Sequence, residues 1–318
     1  MAAADYPYDK IEGDSEATTI RYTKNAVYDN YVKMSMASTL THLGSPYLDD
    51  GTYLHNFGLN TQGAAYHTQD EALRPNIRNH SMRAERLGSN AVLDGRPVDS
   101  EYVGAIPAET NDDIQKFFST AIKSTAGLLS AKIGVVTAGA SIIGSMKNIG
   151  TEECPESSTC VSYQWDYDFD EKEEVAHQAK FQAITDGSEY GNIEVTAQVN
   201  AEVAISFLAT IGPDQNGDDE GYNFISPRQP PSKTSSGDGS SAYVSRDALQ
   251  EYLDSDLSSK SDIPTPDEMS AETAEKYGVR ELEEPQPIVV DGERKRVTHV
   301  VEDLPVHTFA LEPKPAQR

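Results

Sequence analysis

The sequence predicts an α+β protein, with a long apolar central helix or helical hairpin packed on an antiparallel β meander. A mixed N-terminal region precedes this unit and a linker-rich C-terminal region follows it. Three observations predict that arrangement. Residues 124–146 form a window of 23 residues in which Lys132 is the only charge, within a chain of 52 acidic and 26 basic residues. Apolar residues then alternate with polar ones from Val161 to Ile211, the period of a half-buried strand. From Ser226 the composition changes to SPRQPPSKTSSGDGSS, a linker. The chain divides accordingly into 1–110, a region rich in Tyr, Gly and Asn, 111–212, the apolar helix with the meander, and 213–318, an acidic linker with a small C-terminal module.

The central segment carries helix signals at both ends. Thr110 or Asn111 can cap its start, and Asp112 and Asp113 place negative charge on the positive end of the helix dipole. Lys147 falls in the last turn and Gly150 can close it. As a helix the window would span roughly 35 Å, enough for a bilayer core of about 30 Å. Against that, it is rich in small residues, among them Gly127, Gly134, Gly139 and Gly144. Lys132 near its middle would also cost about 2.5–3.5 kcal/mol on insertion. Two readings stand: a helix or hairpin buried in a globular core, or a segment sheltered in water that inserts into a target membrane when released.

The net charge of −26 and pI near 4.5 argue against nucleic-acid binding, which needs a basic surface. The acids are dispersed along the chain and only 14 residues are lysine. Multimolar salt, with a Debye length of about 3 Å or less, makes such a charge density tolerable. The composition therefore points to a salt-loving microbe or one of its viruses; the alternative is an ordinary acidic protein with disordered parts. Cys154 and Cys160, in CPESSTC, suit a local disulfide joining the helix end to a strand. That bond would contribute about 2–3 kcal/mol and imply an oxidising compartment. A metal pair or two free thiols are the competing readings. Met1 to Asp5 show neither an apolar leader nor a twin arginine, so either the chain stays inside or a leader has been removed.

Taken in order, residues 1–19 read as an acidic arm or tail. Residues 20–36 fit a helix face through Tyr22, Val27, Tyr31 and Met34, or a strand through Ile20, Tyr22 and Lys24. Asp50-Gly51 and Asp94-Gly95 are turn signals. Between them and just beyond, Arg74, Arg78, Arg83, Arg86 and Arg96 form a basic patch expected to pair with an acidic face of the same fold. Val161 to Phe169 alternate as one strand and Val175 to Ala183 as a second. Ile193 to Ile211 keep the period without interruption, long for one strand, which predicts a bend or bulge near Asn200. Farther on, helices are expected at 245–254 and 270–279. A hairpin is expected where Ile288 to Val290 meet Val297 to Val301 across Asp291-Gly292.

Chemical signatures are few. The chain holds no GxSxG, no Gly-rich phosphate loop and no nucleophile with a readable base partner, and Ser141 inside the apolar window reads as packing. His42, His55, His67 and His80 recur about every dozen residues but lack a short-spaced metal pair. The acidic run Asp214 to Glu220 resembles the start of a calcium loop without its glycine and distant glutamate, and reads as a solvated hairpin tip. The expectation is a protein that is not an enzyme and holds no metal and no cofactor.

Pro107-Ala-Glu-Thr110, the apolar segment 117–146, Gln164-Trp-Asp-Tyr-Asp168 and the alternating stretch ending in Ala209-Thr-Ile-Gly-Pro-Asp214 follow one another in that order. In this the chain resembles the large halocins, secreted protein antibiotics of haloarchaea. The resemblance covers about residues 107–214, and WDYD is its sharpest motif. It implies a secreted, acidic antimicrobial whose central segment engages the membrane of related cells. The segment's positions are Phe117, Phe118, Ile122, Leu128, Leu129, Ile133, Val135, Val136, Ile142 and Ile143. The implied partners are the target-cell membrane or a membrane protein in it, and an immunity protein. A structural protein of a haloarchaeal virus or cell surface is the reading from a different class, suited by the first hundred residues and the long strands. A secreted hydrolase is the third.

Overall fold

Period two, the signature of strands, governs nearly every stretch of the computed structural model, which describes residues 12–25, 30–67, 75–87, 91–95, 103–105, 149–150, 160–167, 171–186, 191–200, 203–211, 265–276, 279–290, 293–301 and 306–311. The strands are β1 (Glu12–Asn25), β2 (Asn30–His42), β3 (Ser45–Leu48), β4 (Thr52–His67), β5 (Asn79–Arg86), β6 (Val92–Gly95), β7 (Val103–Ala105) and β8 (Ile149–Gly150). They continue with β9 (Cys160–Asp166), β10 (Glu174–Asp186), β11 (Gly191–Val199), β12 (Val203–Ile211), β13 (Val279–Val290), β14 (Glu293–Val301) and β15 (Val306–Leu311). A 3₁₀ turn at Pro266–Glu268 and a six-residue helix, α1 (Ala271–Lys276), precede β13.

These strands form two antiparallel sheets. In the first, β4 is the hub: it pairs with β2 and β3 on one side and β10 on the other. β1 flanks β2, β6 and β7 pair with the far side of β10, and the β13–β14 hairpin joins through β3. The second sheet has the order β15-β12-β11-β5-β9-β8. β1 lies against β12 and β15, and β6 against β5 and β9, so the sheets approach each other along both sides.

The expected α+β architecture is thereby corrected to an all-β sandwich. The expectation took the long apolar window as the cover for the apolar face of the strands. Among the described residues that cover is the other sheet. Met34, Met36, Leu40, Phe57, Leu59 and Phe181 from the first sheet share one buried core with Met82, Trp165, Val195, Ile205 and Phe207 from the second. Burying each large apolar side chain contributes about 1.5–3 kcal/mol. The segment 111–148 lies outside the described residues, and so do the helix expected at 245–254 and the loop 214–220. Consecutive strands also alternate between sheets instead of forming a meander: β9 pairs with β5, β10 with β4, and β11 with β5. Alternation reports which face of a strand is buried, not which neighbour it bonds.

Of residues 20–36, divided between helix and strand by sequence, 20–25 belong to β1 and 30–36 to β2, paired in register from Glu12↔His42 to Tyr22↔Val32. Asp50-Gly51 does turn the chain, with Gly51 at φ 88°, whereas Asp94-Gly95 pair in β6 with Gln182 and Phe181. The Arg patch meets the acids of its own fold at Arg78–Glu171, 2.8 Å, and Arg83–Glu85, 3.3 Å. Gly63 packs closely against Val199 of the second sheet and its own cross-strand neighbour Val175. A Cβ there would lie 2.9 Å from Val199 Cγ2 and 3.2 Å from Val175 Cγ2, too close for any larger residue without displacement.

The long alternating stretch 193–211 is a hairpin, not one bent strand: Ile193 pairs with Ala209 and Val199 with Val203. Three residues, 200–202, separate the strands, so paired residues share parity and the apolar period passes through the turn unbroken. Asn200 opens the turn at φ 52°, a left-handed conformation that Asn tolerates better than most residues. Its side chain accepts from the backbone N–H groups of Arg78 and Asn79, at 2.7 and 3.1 Å, and donates to the Asn76 carbonyl at 2.7 Å. Asn200 thus ties the β11–β12 turn to the entry of β5. Asn200→Ala removes all three bonds and leaves a β-carbon-bearing residue at positive φ. It is expected to cost about 2–4 kcal/mol, and Asn200→Asp, which keeps the acceptor, less; denaturant unfolding in multimolar salt measures both.

Candidate functional site

Four histidines are packed inside the sandwich, in two separate lines. The first begins where β2 gives way to β3. The pairing register with β4 changes across Leu43–Gly44, where Gly44 takes φ 107°. This bend brings Ser45 between two imidazoles. Ser45 Oγ lies 2.8 Å from His42 Nε2 and 2.7 Å from His55 Nδ1, and His55 Nε2 lies 2.8 Å from Thr185 Oγ1 on β10. His42 also bonds the backbone of Gly44. One proton assignment satisfies the whole line: Thr185 donates to His55, His55 to Ser45, Ser45 to His42, and His42 to the Gly44 carbonyl.

The second line crosses between the sheets. His80 on β5 stacks on His177 of β10, with ring centroids 4.4 Å apart and planes 13° from parallel. Trp165 of β9 packs on His177 at 4.3 Å and on His80 at 5.5 Å. Tyr167 hydrogen-bonds His177 Nε2 through its hydroxyl. Both ring nitrogens of His80, Nδ1 of His177 and Nε1 of Trp165 are buried without a hydrogen-bond partner, a cost of about 1–3 kcal/mol for each such group.

Burial holds these rings neutral. Desolvation pushes His42 down to about 4. Desolvation, with a smaller contribution from His42, takes His55 to about 3. His80 falls to about 3 for the same reason, and His177 goes well below its ordinary value through desolvation and then the neighbouring His80. Burial raises the Tyr167 hydroxyl, so that group stays protonated. Two imidazolium rings 4.4 Å apart would repel by about 4 kcal/mol even at an effective dielectric of 20.

Chemically, Ser45 between two imidazoles has the hydrogen bonds of an activated nucleophile. It is fully buried, as is His55, so no substrate reaches it and the line works as an internal brace. No three His, Cys, Asp or Glu side chains converge on a common point among the described residues. No described helix is long and apolar enough to cross a membrane, which leaves strands out of account.

Of the residues singled out by sequence, His42 and His55 are brought together, and His80 joins His177 instead. His67 ends β4 opposite Val32. Cys160 is buried at the start of β9, opposite Glu85, and is not a free thiol. Cys154, and every expected membrane-active position from Phe117 to Ile143, lie outside the described residues. Sequence reasoning missed His177 and Thr185 as partners. The available signal was an imidazole at an inward position of an apolar alternation, VAHQAKFQA. No protein-family model, no curated protein and no solved structure matches this chain.

A group whose folded pKa lies below its unfolded value binds protons more readily when the chain unfolds. Its contribution to stability is therefore complete above about pH 6.5 and shrinks as pH falls toward the folded pKa. Each unit of pH below 6.5 removes about 1.4 kcal/mol per histidine. Four histidines together exhaust a typical stability of about 5–15 kcal/mol within one to three units. Cooperative acid unfolding is expected between about pH 5.5 and 4, followed by the fluorescence of Trp165, the only tryptophan. His80→Phe, which removes two unpartnered nitrogens and one titrating group, is expected to move the midpoint to lower pH; an unchanged midpoint would show that these rings do not set it.

Proposed function

We propose that the chain is a structural protein of a haloarchaeal virus or cell surface, a stiff sandwich that works by assembly and display. The observation that carries this reading is strand length. β1, β2, β4 and β10 run 14, 13, 16 and 13 residues, against a common range of about 3–10. All four belong to one antiparallel sheet and are backed over much of its area by a second. Long paired strands resist bending, and the chain's first hundred residues, so rich in Tyr, Gly and Asn, supply three of the four. The acidic composition supports service in multimolar salt. Size-exclusion chromatography with light scattering in multimolar KCl tests the reading. Assemblies of defined stoichiometry are expected, and a strict monomer at every concentration and salt level would count against it.

A second reading is favoured by the apolar window 124–146, which lies in sequence between β7 and β8. These two strands belong to different sheets, β7 pairing with β10 and β8 with β9. A segment tethered at both ends to a rigid body suits delivery into a membrane, as the resemblance to the halocins implies. Here a disulfide between Cys154 and Cys160 would fasten the segment's C-terminal flank to β9. Vesicle leakage at multimolar salt separates the two readings. Leakage lost on deletion of 117–146 supports the antimicrobial, and intact vesicles after acid or protease treatment favour the assembly protein.

A further inference from the structure

The outer face of the first sheet is buried, although no described element lies across its centre. On β2, β4 and β10 the residues that alternate with the core positions form two adjacent rows, Ala37–Gln62–Ala176 and Thr39–Asn60–Gln178. Gly104 of β7 extends the second row. All six side chains are buried, and Asn60, Gln62 and Gln178 are 0, 4 and 2% exposed. At one end of the face Leu54 and Ile184 meet Leu48, Val297 and Val300. Beyond that end, among the described residues, β4 and β10 meet only strands beside them and the sheet packed on their inner face. The burial arises within a single chain, so a stretch of the same chain covers the rows.

That cover is apolar where it meets the amides. Both polar atoms of Asn60, both of Gln178 and Oε1 of Gln62 are buried with no hydrogen-bond partner. Water, a carboxylate, a hydroxyl or an ammonium group above them would supply one. The face is about 14 Å wide from β2 to β7 and about 20 Å long from Ser35 to Thr41. Two stretches outside the described residues are long enough to span it, 106–148 and 212–264. The second is dense in Asp, Glu, Ser and Gln, whereas Lys132 is the only charge in 124–146. Chain position agrees. The first stretch leaves β7 from Gly104 and Ala105, which stand opposite Gln178 and His177. It returns at β8, where Ile149 pairs with Trp165, itself packed on His177. Both ends therefore emerge on the β10 flank of the sandwich, beside the rows.

We propose that the outer face of the first sheet is the seat of segment 117–146 of the same chain. The small residues of the rows let another stretch of chain approach closely, and the segment's apolar side chains leave water on meeting them. The amides are a poor match for such a partner, so the segment is held less tightly than its area alone would give. An assembly protein and a membrane-active one both need this segment kept out of water, so the proposal stands apart from the two readings above.

The test is photocrosslinking on the full chain in multimolar KCl, with Gln178 replaced by a diazirine amino acid of similar size and the captured peptides mapped by mass spectrometry. Apart from strand neighbours on β4 and β7, these are expected to come from 111–148. Hydrogen exchange gives a second readout. Gln178→Leu, which removes two unpaired atoms beneath the segment, should slow exchange within 117–146 about tenfold, and Gln178→Glu should speed it about tenfold, with β11 unchanged in both. Capture of 212–264, or of nothing beyond the strand neighbours, would overturn the proposal. So would exchange within 117–146 that neither variant alters.

Discussion

The contact between the inner faces of the two sheets is the constraint on which the rest of this structure depends. Each sheet alone would expose a continuous apolar face, and neither has a described helix large enough to cover it. Face-to-face packing solves both problems at once, and it sets the positions of everything polar inside. Gly63 shows how close the fit is, since the space a methyl group would need is already held by valines from β10 and β11. Asn200 shows how the fit is fastened: one amide ties the β11–β12 turn to the chain entering β5. The two histidine lines occupy the same interior. They supply volume and some hydrogen bonds while remaining neutral, and only the β2–β4–β10 line is fully partnered.

How much of this was legible in the sequence follows from what each kind of pattern encodes. Alternation identified β9, β10, β11 and β12 as strands and named their buried faces, because side-chain direction is a local property of the backbone. It did not show that 193–211 is two strands, since a three-residue turn preserves parity. Nor did it show that β9, β10 and β11 alternate between sheets, because pairing partners are set by long-range packing. β1 and β2 were ambiguous for another reason: their Ser, Thr and Lys residues blur the period where the hydrophobic contrast is weak, as in TTIRYTKN. The Asp-Gly pairs divided, one turning the chain and one paired within β6, because tertiary pairing overrides local turn preference.

The candidate sites were less legible still. His55 and Thr185 meet across 130 residues of chain, and no spacing rule reaches that far. The even spacing of His42, His55, His67 and His80 looked like a set and was not one. His42 and His55 share one line, His80 belongs to the other, and the partner of His80 arrives from β10. The polar rows around Arg83, on the outer face of the second sheet, were hidden for the opposite reason. Their residues are ordinary outward-facing polar positions on three strands, and only the register Arg83↔Ser162 and Arg83↔Thr196 turns them into one surface. The Arg patch read from sequence as pairing with the fold's own acids does so at Arg78 and Arg83, but at Arg83 one nitrogen is left over.

Surface and interior respond to solvent in different ways, and that difference shapes the protein as a whole. The excess of 26 negative charges repels itself in dilute solution, and salt relieves that repulsion by screening. Buried imidazoles are screened little by salt, because their penalty comes from desolvation within the packed interior. Salt therefore strengthens the fold at neutral pH without protecting it from acid to the same degree. A protein built this way has two independent controls, ionic strength acting on its outer charges and protons acting on its core. The long strands of the first sheet carry both, since His42, His55 and His177 all stand on β2, β4 or β10. Protonation at any of them acts on the sheet from which the sandwich takes its stiffness, so loss of neutrality in the core and loss of the rigid scaffold are one event.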